Sequence, residues 1–271
     1  MLPTITAVAA LAATSYTLFN PAPDDKLRDL CTDRPTKSTS PCTLDAGHFQ
    51  LESDIFNETL DHTGAVSTTT QLLTGPTLKL GLTDLLDAEI SITPYERVVV
   101  RGHGTESTAG GFGDTYLKLK WNVLGNASDA VGFALVPYVK APTGSARVGN
   151  RATEGGVIAP VSFTFPDSWS LVIDPELDSL ANSSGGGGHH LNAAGVLSLS
   201  KGLSHHFTAS AELWSDRDWD AAGRVTLLSA DLGAAWSPES SPNLQFDGGF
   251  NFGLNHQTPG VQGYLGISQR F

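Results

Sequence analysis

The chain has no apolar run long enough to make a membrane helix. Its longest, Ala7 to Ala13, falls far short of the ~20 residues that such a helix needs. Charge is scarce too: Lys, Arg, Asp and Glu make up 16% of 271 residues, against about 25% in ordinary soluble domains. The charge present leans acidic, with a formal net of −12, which argues against nucleic-acid binding, because phosphate neutralisation needs clustered Lys and Arg. There are only two cysteines, Cys31 and Cys42, in a stretch rich in Pro, Ser and Thr. With no further ligand pair nearby, they read as one disulfide in an oxidising compartment rather than as a metal site. No cofactor is implied.

What the chain does have is glycine, 29 residues of it, and hydrophobics at 40% that almost never run together. They alternate. At the C-terminus Val261, Leu265, Ile267 and Phe271 fall on one face of a strand, and Gln262, Tyr264, Gly266, Ser268 and Arg270 on the other, as a side-chain period of two requires. The same reading predicts twelve strands, at about 47–57, 70–82, 86–100, 113–123, 130–141, 154–165, 169–179, 189–200, 205–215, 225–236, 244–254 and 261–271. Alternating strands dilute lipid-facing residues with polar ones, so a membrane barrel and a half-wet soluble sandwich share this composition.

Connection lengths and aromatics favour the barrel. Every second connection is tight, as at 83–85, 166–168 and 201–204, while the others, 58–69, 101–112, 142–153 and 180–188, are longer and richer in Gly. Short periplasmic turns and long extracellular loops are the membrane-barrel pattern. In that topology Trp121, Trp169 and Trp236 all fall at the turn end on the apolar face, with Phe165, Phe207, Phe246 and Phe271 beside them. That is the placement of an aromatic girdle at a membrane–water boundary. The expected class is therefore all-β: a closed antiparallel transmembrane barrel over 47–271. Residues 14–46 are expected as a periplasmic N-terminal extension, and 1–13 as a signal-peptide remnant, small and apolar but without a basic start.

The strand ending in Phe271, with Tyr264 and Gly266, looks like the C-terminal sorting signal of Gram-negative outer-membrane barrels, although Gln269 departs from it. That resemblance implies the barrel-assembly machinery as a partner of 261–271. Longer stretches are similar to a family of outer-membrane transporters catalogued under the MetA pathway of phenol degradation. They are Asp33-Arg34-Pro35, Ala46-Gly47-His48-Phe49-Gln50-Leu51-Glu52, Gly81-Leu82-Thr83-Asp84, Pro137 to Gly144, Glu154-Gly155-Gly156 and Asn251-Phe252-Gly253-Leu254-Asn255. The resemblance covers roughly 30–271 and implies an outer-membrane barrel with a transport role.

Strand parity turns the charges inward unevenly. Lys79, Lys118, Lys120 and Lys140 make a basic wall. Glu52, Asp54, Asp174, Glu176, Asp178, Glu212, Asp231 and Asp247 make an acidic one. Walls of charge select and orient solutes in a channel, or they pair and fill the interior. The expected function is passive passage of small polar or aromatic solutes, with lipid and lipopolysaccharide around the barrel. The alternatives are a hydrolase of the outer-membrane phospholipase type, using His62 or His103 with a nearby Ser, and a plugged structural barrel. Adjacent histidines, His189-His190 and His205-His206, point to opposite faces of a strand and so do not make a metal pair. Arg97, Arg101, Arg147 and Arg151 could meet anions at the outer mouth or lipopolysaccharide phosphates. Arg34 is expected either to meet an acidic wall residue inside the mouth or to lie on a loose tether.

Overall fold

The computed structural model describes residues 16–126, 129–184 and 187–271. The stretch 1–13 lies outside the described residues. Strand follows strand: β1 (Phe49–Thr63), β2 (Val66–Thr74), β3 (Thr77–Thr83), β4 (Leu86–Ser91), β5 (Tyr95–Gly102), β6 (Thr105–Gly111), β7 (Thr115–Leu124), β8 (Val131–Ala141), β9 (Glu154–Ile158), β10 (Val161–Phe165), β11 (Trp169–Ala181), β12 (His189–Ser204), β13 (Phe207–Asp218), β14 (Val225–Trp236), β15 (Leu244–Gly253) and β16 (Val261–Arg270). Neighbours pair antiparallel, and β16 pairs with β1 from Gln50 opposite Arg270 to Leu60 opposite Val261, which closes the sheet.

Four walls are each made of two segments in line: β2 with β3, β4 with β5, β6 with β7, and β9 with β10. Sixteen segments therefore make twelve crossings. Three of the breaks carry a proline, at Pro76, Pro94 and Pro160, which cannot donate to the ladder. The protein is thus the closed twelve-stranded antiparallel barrel that the alternation predicts.

Solvent exposure is inverted relative to a soluble fold. The most deeply buried side chains include Lys120, Gln50, Asn122, Asp87, Asp231, Ser198 and Ser268, while Leu78, Leu117, Leu177, Leu213, Leu232, Phe250 and Leu265 are exposed. A sandwich buries its large apolar side chains; a barrel in lipid turns them outward and keeps its polar atoms within.

The ends of the barrel differ. Residues 84–85, 166–168, 205–206 and 237–243 make short turns at one end, which also holds the C-terminus. There Phe165 stands opposite Trp169, Phe207 opposite Trp236, Trp236 opposite Phe246, and Trp121 opposite Leu86. Phe271 exchanges backbone hydrogen bonds with Phe49 at the same end. All seven aromatics of the expected girdle are exposed on the outer face. The other end carries the longest connection, 142–153, together with 219–224 and 254–260.

Two expected loops are not loops. Residues 58–69 and 101–112 extend the strands into tall hairpins, β1–β2 and β5–β6, closed by two-residue turns at 64–65 and 103–104. His103 (φ 51°) and Gly104 (φ 77°) take the paired positive angles of a type I′ turn, which matches the twist of the flanking strands. The intervening residues include six Thr, Thr59, Thr63, Thr68, Thr69, Thr105 and Thr108, which favour extended backbone.

Candidate functional site

The described residues 16–46 pack against the turn end and into the barrel. Residues 16–22 lie along the turn end, with Leu18 N–H donating to Leu82 O and Ala22 N–H to Ala46 O. The chain then enters the interior between residues 29 and 45. A disulfide between Cys31 and Cys42, with Cα atoms 6.4 Å apart, closes the inserted loop.

This insert is rich in backbone donors and cations, and the walls answer with carboxylates. Lys37 N–H donates to Glu212 on β13 at 2.8 Å, Thr39 N–H to Asp174 on β11 at 2.6 Å, and Leu44 N–H to Asp87 on β4 at 2.9 Å. The Arg34 guanidinium pairs with Asp54 on β1 (2.7 Å) and Asp247 on β15 (2.9 Å), and lies 5.8 Å from the ring centre of Tyr264. Lys37 Nζ reaches Asp231 on β14 at 2.9 Å and sits 4.4 Å over the Trp214 ring. These partners stand on walls all round the barrel, so the insert spans its cross-section.

One carboxylate runs the other way. Asp33 of the insert meets Lys79 (2.5 Å) and Lys120 (2.8 Å). These two lysines are 4% and 1% exposed, and they also face Glu52 and Glu89. Burial alone would push the Asp33 carboxyl up; the Lys120 and Lys79 ammonium groups overcome this and hold it well below the usual carboxylate range.

Close packing needs Gly266. A Cβ there would collide with the Arg34 guanidinium, which two carboxylates pin in place. Gly266→Val is expected to displace Arg34 and loosen the insert, at a cost of about 1–3 kcal/mol. Trypsin cleavage after Lys37, seen as two fragments on a reducing gel, should then run faster than in the wild type; equal resistance would count against this packing.

The two-wall picture needs a correction in detail. Glu52 sits among the lysines, 2.6 Å from Lys79, rather than across from them. Lys140 stands apart and pairs with Asp114 (3.1 Å) and Glu154 (2.6 Å). Lys118 faces the interior beside Tyr116 and Tyr138. Asp54, Asp231 and Asp247 hold the insert's cations, while Asp174, Glu176 and Asp178 lie together on β11 with no ion pair among the described residues. Asp33 and Lys37 were not anticipated as interior partners, nor were Trp214 and Asp216. The last two share the parity of Glu212, which was the available signal.

The outlying motifs stay separate. His190 Nδ1 bonds Asn182 at 3.1 Å with Nε2 lying 2.8 Å from Asp218, and His189 bonds the Thr153 carbonyl at 2.9 Å. Arg101 pairs with Glu106 at 2.8 Å on an exposed hairpin. His62, opposite Ser67, and His103 sit exposed on the hairpin tips.

On either side of the insert the interior opens. A cavity of about 310 Å³ lies toward the turn end, lined by the insert with Ser170, Ser200 and Ser210. A second, of about 410 Å³, lies between Lys118, Tyr138, Asp174, Glu176 and Trp214.

Residues 32–271 match the family described as "Putative MetA-pathway of phenol degradation". The chain belongs to this family. The match begins at Thr32, so it takes in most of the inserted loop along with the barrel. Among solved structures, the chain is similar to the COG4313 outer membrane channel from Pseudomonas putida F1. The two are 12% identical with a TM-score of 0.66, and the match covers 89% of this chain and 100% of that one. It is also similar to the β domain of the Bordetella autotransporter BrkA (12% identity, TM-score 0.51, 83% and 99% covered) and to the NanC porin (11%, 0.50, 81% and 98%). At these identities the likeness is one of fold, that of outer-membrane barrels. A search of curated proteins returned no match.

Proposed function

We propose that this barrel is an outer-membrane channel that passes small polar or aromatic solutes by passive diffusion, with both termini on the periplasmic side. The observation that carries this reading is the polar interior: a closed wall encloses two cavities of about 310 and 410 Å³, separated by an insert held through hydrogen bonds and ion pairs. Barrels of about eight strands are filled by side chains and those of 16–18 leave a wide aqueous pore. Twelve strands around a polypeptide loop fit a narrow path. The fold supplies no energy source, so solutes would move only down their gradients.

The orientation follows the membrane-barrel pattern: short turns periplasmic, tall hairpins and longer loops outside. Trp121, Trp169, Trp236 and the neighbouring phenylalanines then mark the periplasmic boundary of the lipid. Lipopolysaccharide would meet the exposed Arg97, Arg101, Arg147 and Arg151, and β16 with Phe271 would be the segment that the assembly machinery reads. No catalytic residue is proposed; the exposed His62 and His103 have the solvated setting of surface residues rather than that of an oriented base.

Single-channel recording of the refolded protein in planar bilayers tests the reading. Small discrete steps are expected, with cations favoured over anions because acidic residues outnumber basic ones 28 to 16. A silent bilayer after verified insertion would remove the channel.

A further inference from the structure

We propose that the cavity of about 410 Å³ beside β11–β13 is a binding site for a small organic ammonium ion. The inference deepens the channel reading, since it names a class of solute for that path.

Most other interior carboxylates have their cations, and Asp87 and Glu212 instead accept backbone N–H groups of the insert, from Leu44 and from Lys37 and Ser38. Arg34 serves Asp54 and Asp247, Lys37 serves Asp231, Lys79 and Lys120 serve Asp33 and its neighbours, and Lys140 serves Asp114 and Glu154. Around this cavity that balance fails. Asp174, Glu176 and Asp178 project from one face of β11, and Asp216 joins them from β13. No Lys, Arg or His forms an ion pair with any of the four among the described residues. Two cations do line the cavity. Lys37 is committed to Asp231 and Ser229, and Lys118 comes within ion-pair distance of none of the four carboxylates.

A second observation points to a donor-bearing guest. Asn192 Nδ2 donates to both Asp178 (3.1 Å) and Asp216 (3.0 Å), which fixes the orientation of the amide. Its Oδ1 is then an acceptor without a partner, on a residue 3% exposed that lines the cavity. Asp174 takes Thr39 N–H at 2.6 Å, yet its Oδ1 is likewise unpartnered, and Asp174 is 4% exposed. A buried acceptor without a donor is costly, so a group bringing several N–H donors and a positive charge gains from both. An ammonium is such a group; an anion or an ether is not.

The walls say what the ammonium is attached to. Tyr116, Tyr138 and Trp214 line the same space, the two tyrosine rings 6.1 Å apart. Aromatic faces attract cations and pack against apolar bodies. Among the described residues no three His, Cys, Asp or Glu side chains converge to hold a metal ion. The volume falls within the ~300–1,000 Å³ of ordinary small-molecule sites, and suits an amine carrying one ring.

Isothermal titration of the full-length refolded barrel in detergent with 2-phenylethylammonium is the test, with 2-phenylethanol and 3-phenylpropionate as controls. One-site binding of the ammonium is expected at neutral pH, with the alcohol and the acid weaker by about tenfold or more. Glu176→Gln and Asp216→Asn should each weaken the ammonium by a similar factor, and their melting curves should match the wild type. Equal binding of amine and alcohol, absence of binding, or unchanged affinity in a well-folded Glu176→Gln protein would each overturn the proposal. The titration needs no ion flow. Binding without conductance steps would sink the channel and leave the site; steps without binding would do the reverse.

Discussion

Deleting residues 21–45 is expected to raise single-channel conductance severalfold. The insert crosses the interior with anchors on β1, β3, β7, β11, β13, β14 and β15, so any ion path must squeeze past it. Without it, a twelve-stranded interior approaches an open aqueous tube. The barrel itself should persist, because its wall is held by strand pairing that closes from β1 to β16 independently of the insert. Loss of the insert also strips Lys79 and Lys120 of Asp33, and Asp54, Asp231 and Asp247 of their cations. Reversal potentials in asymmetric salt should therefore shift further toward cations. A deletion protein that inserts normally, shown by resistance to unfolding in cold detergent, yet conducts like the wild type would mean that ions take another route.

The insert is half legible in the sequence. Strand parity needs only local information: residues i and i+2 share a face, and that places Lys79, Lys120, Asp174, Glu212, Asp231 and Asp247 inward without any knowledge of neighbours. Turn chemistry is local as well, but it does not reveal the tall hairpins, because Gly64 and Gly104 stand within polar stretches that composition alone marks as loop. The insert's partners are not local. Arg34 meets Asp247 at a separation of 213 residues, and Lys37 meets Glu212 at 175. Nothing in a Pro- and Thr-rich stretch says which wall it will touch. The pattern of unpaired carboxylates on β11–β13 follows only once those pairings are known, since it is what remains after the insert has taken its share. Trp214 and Asp216 continue the inward face of Glu212; the predicted strand 205–215 contains Trp214 and ends one residue short of Asp216.

Asp33→Ala is expected to cost about 2–4 kcal/mol, because it leaves two buried lysines short of a counter-charge. Lys79 and Lys120 are 4% and 1% exposed, and among the described residues they would keep only Glu52 and Glu89 as ion-pair partners. The side chain of Asp33 is itself 22% exposed, which holds the figure below that of a fully enclosed pair. The insert should undock, and trypsin should nick it after Lys37. A second substitution separates charge from packing: Asp33→Asn with Lys120→Met removes one charge of each sign and should recover much of the loss. Acid offers the same test without mutation. The folded Asp33 carboxyl titrates well below its ordinary 3.8, so its stabilisation is complete above that pH and fades only as pH falls through the lowered folded value. Wild-type protein should thus resist nicking equally at pH 7 and pH 5 when a protease active at both is used, and Asp33→Ala should be cut at both. If wild type loosened already at pH 5, the pairing with Lys79 and Lys120 would not be what holds the insert in place.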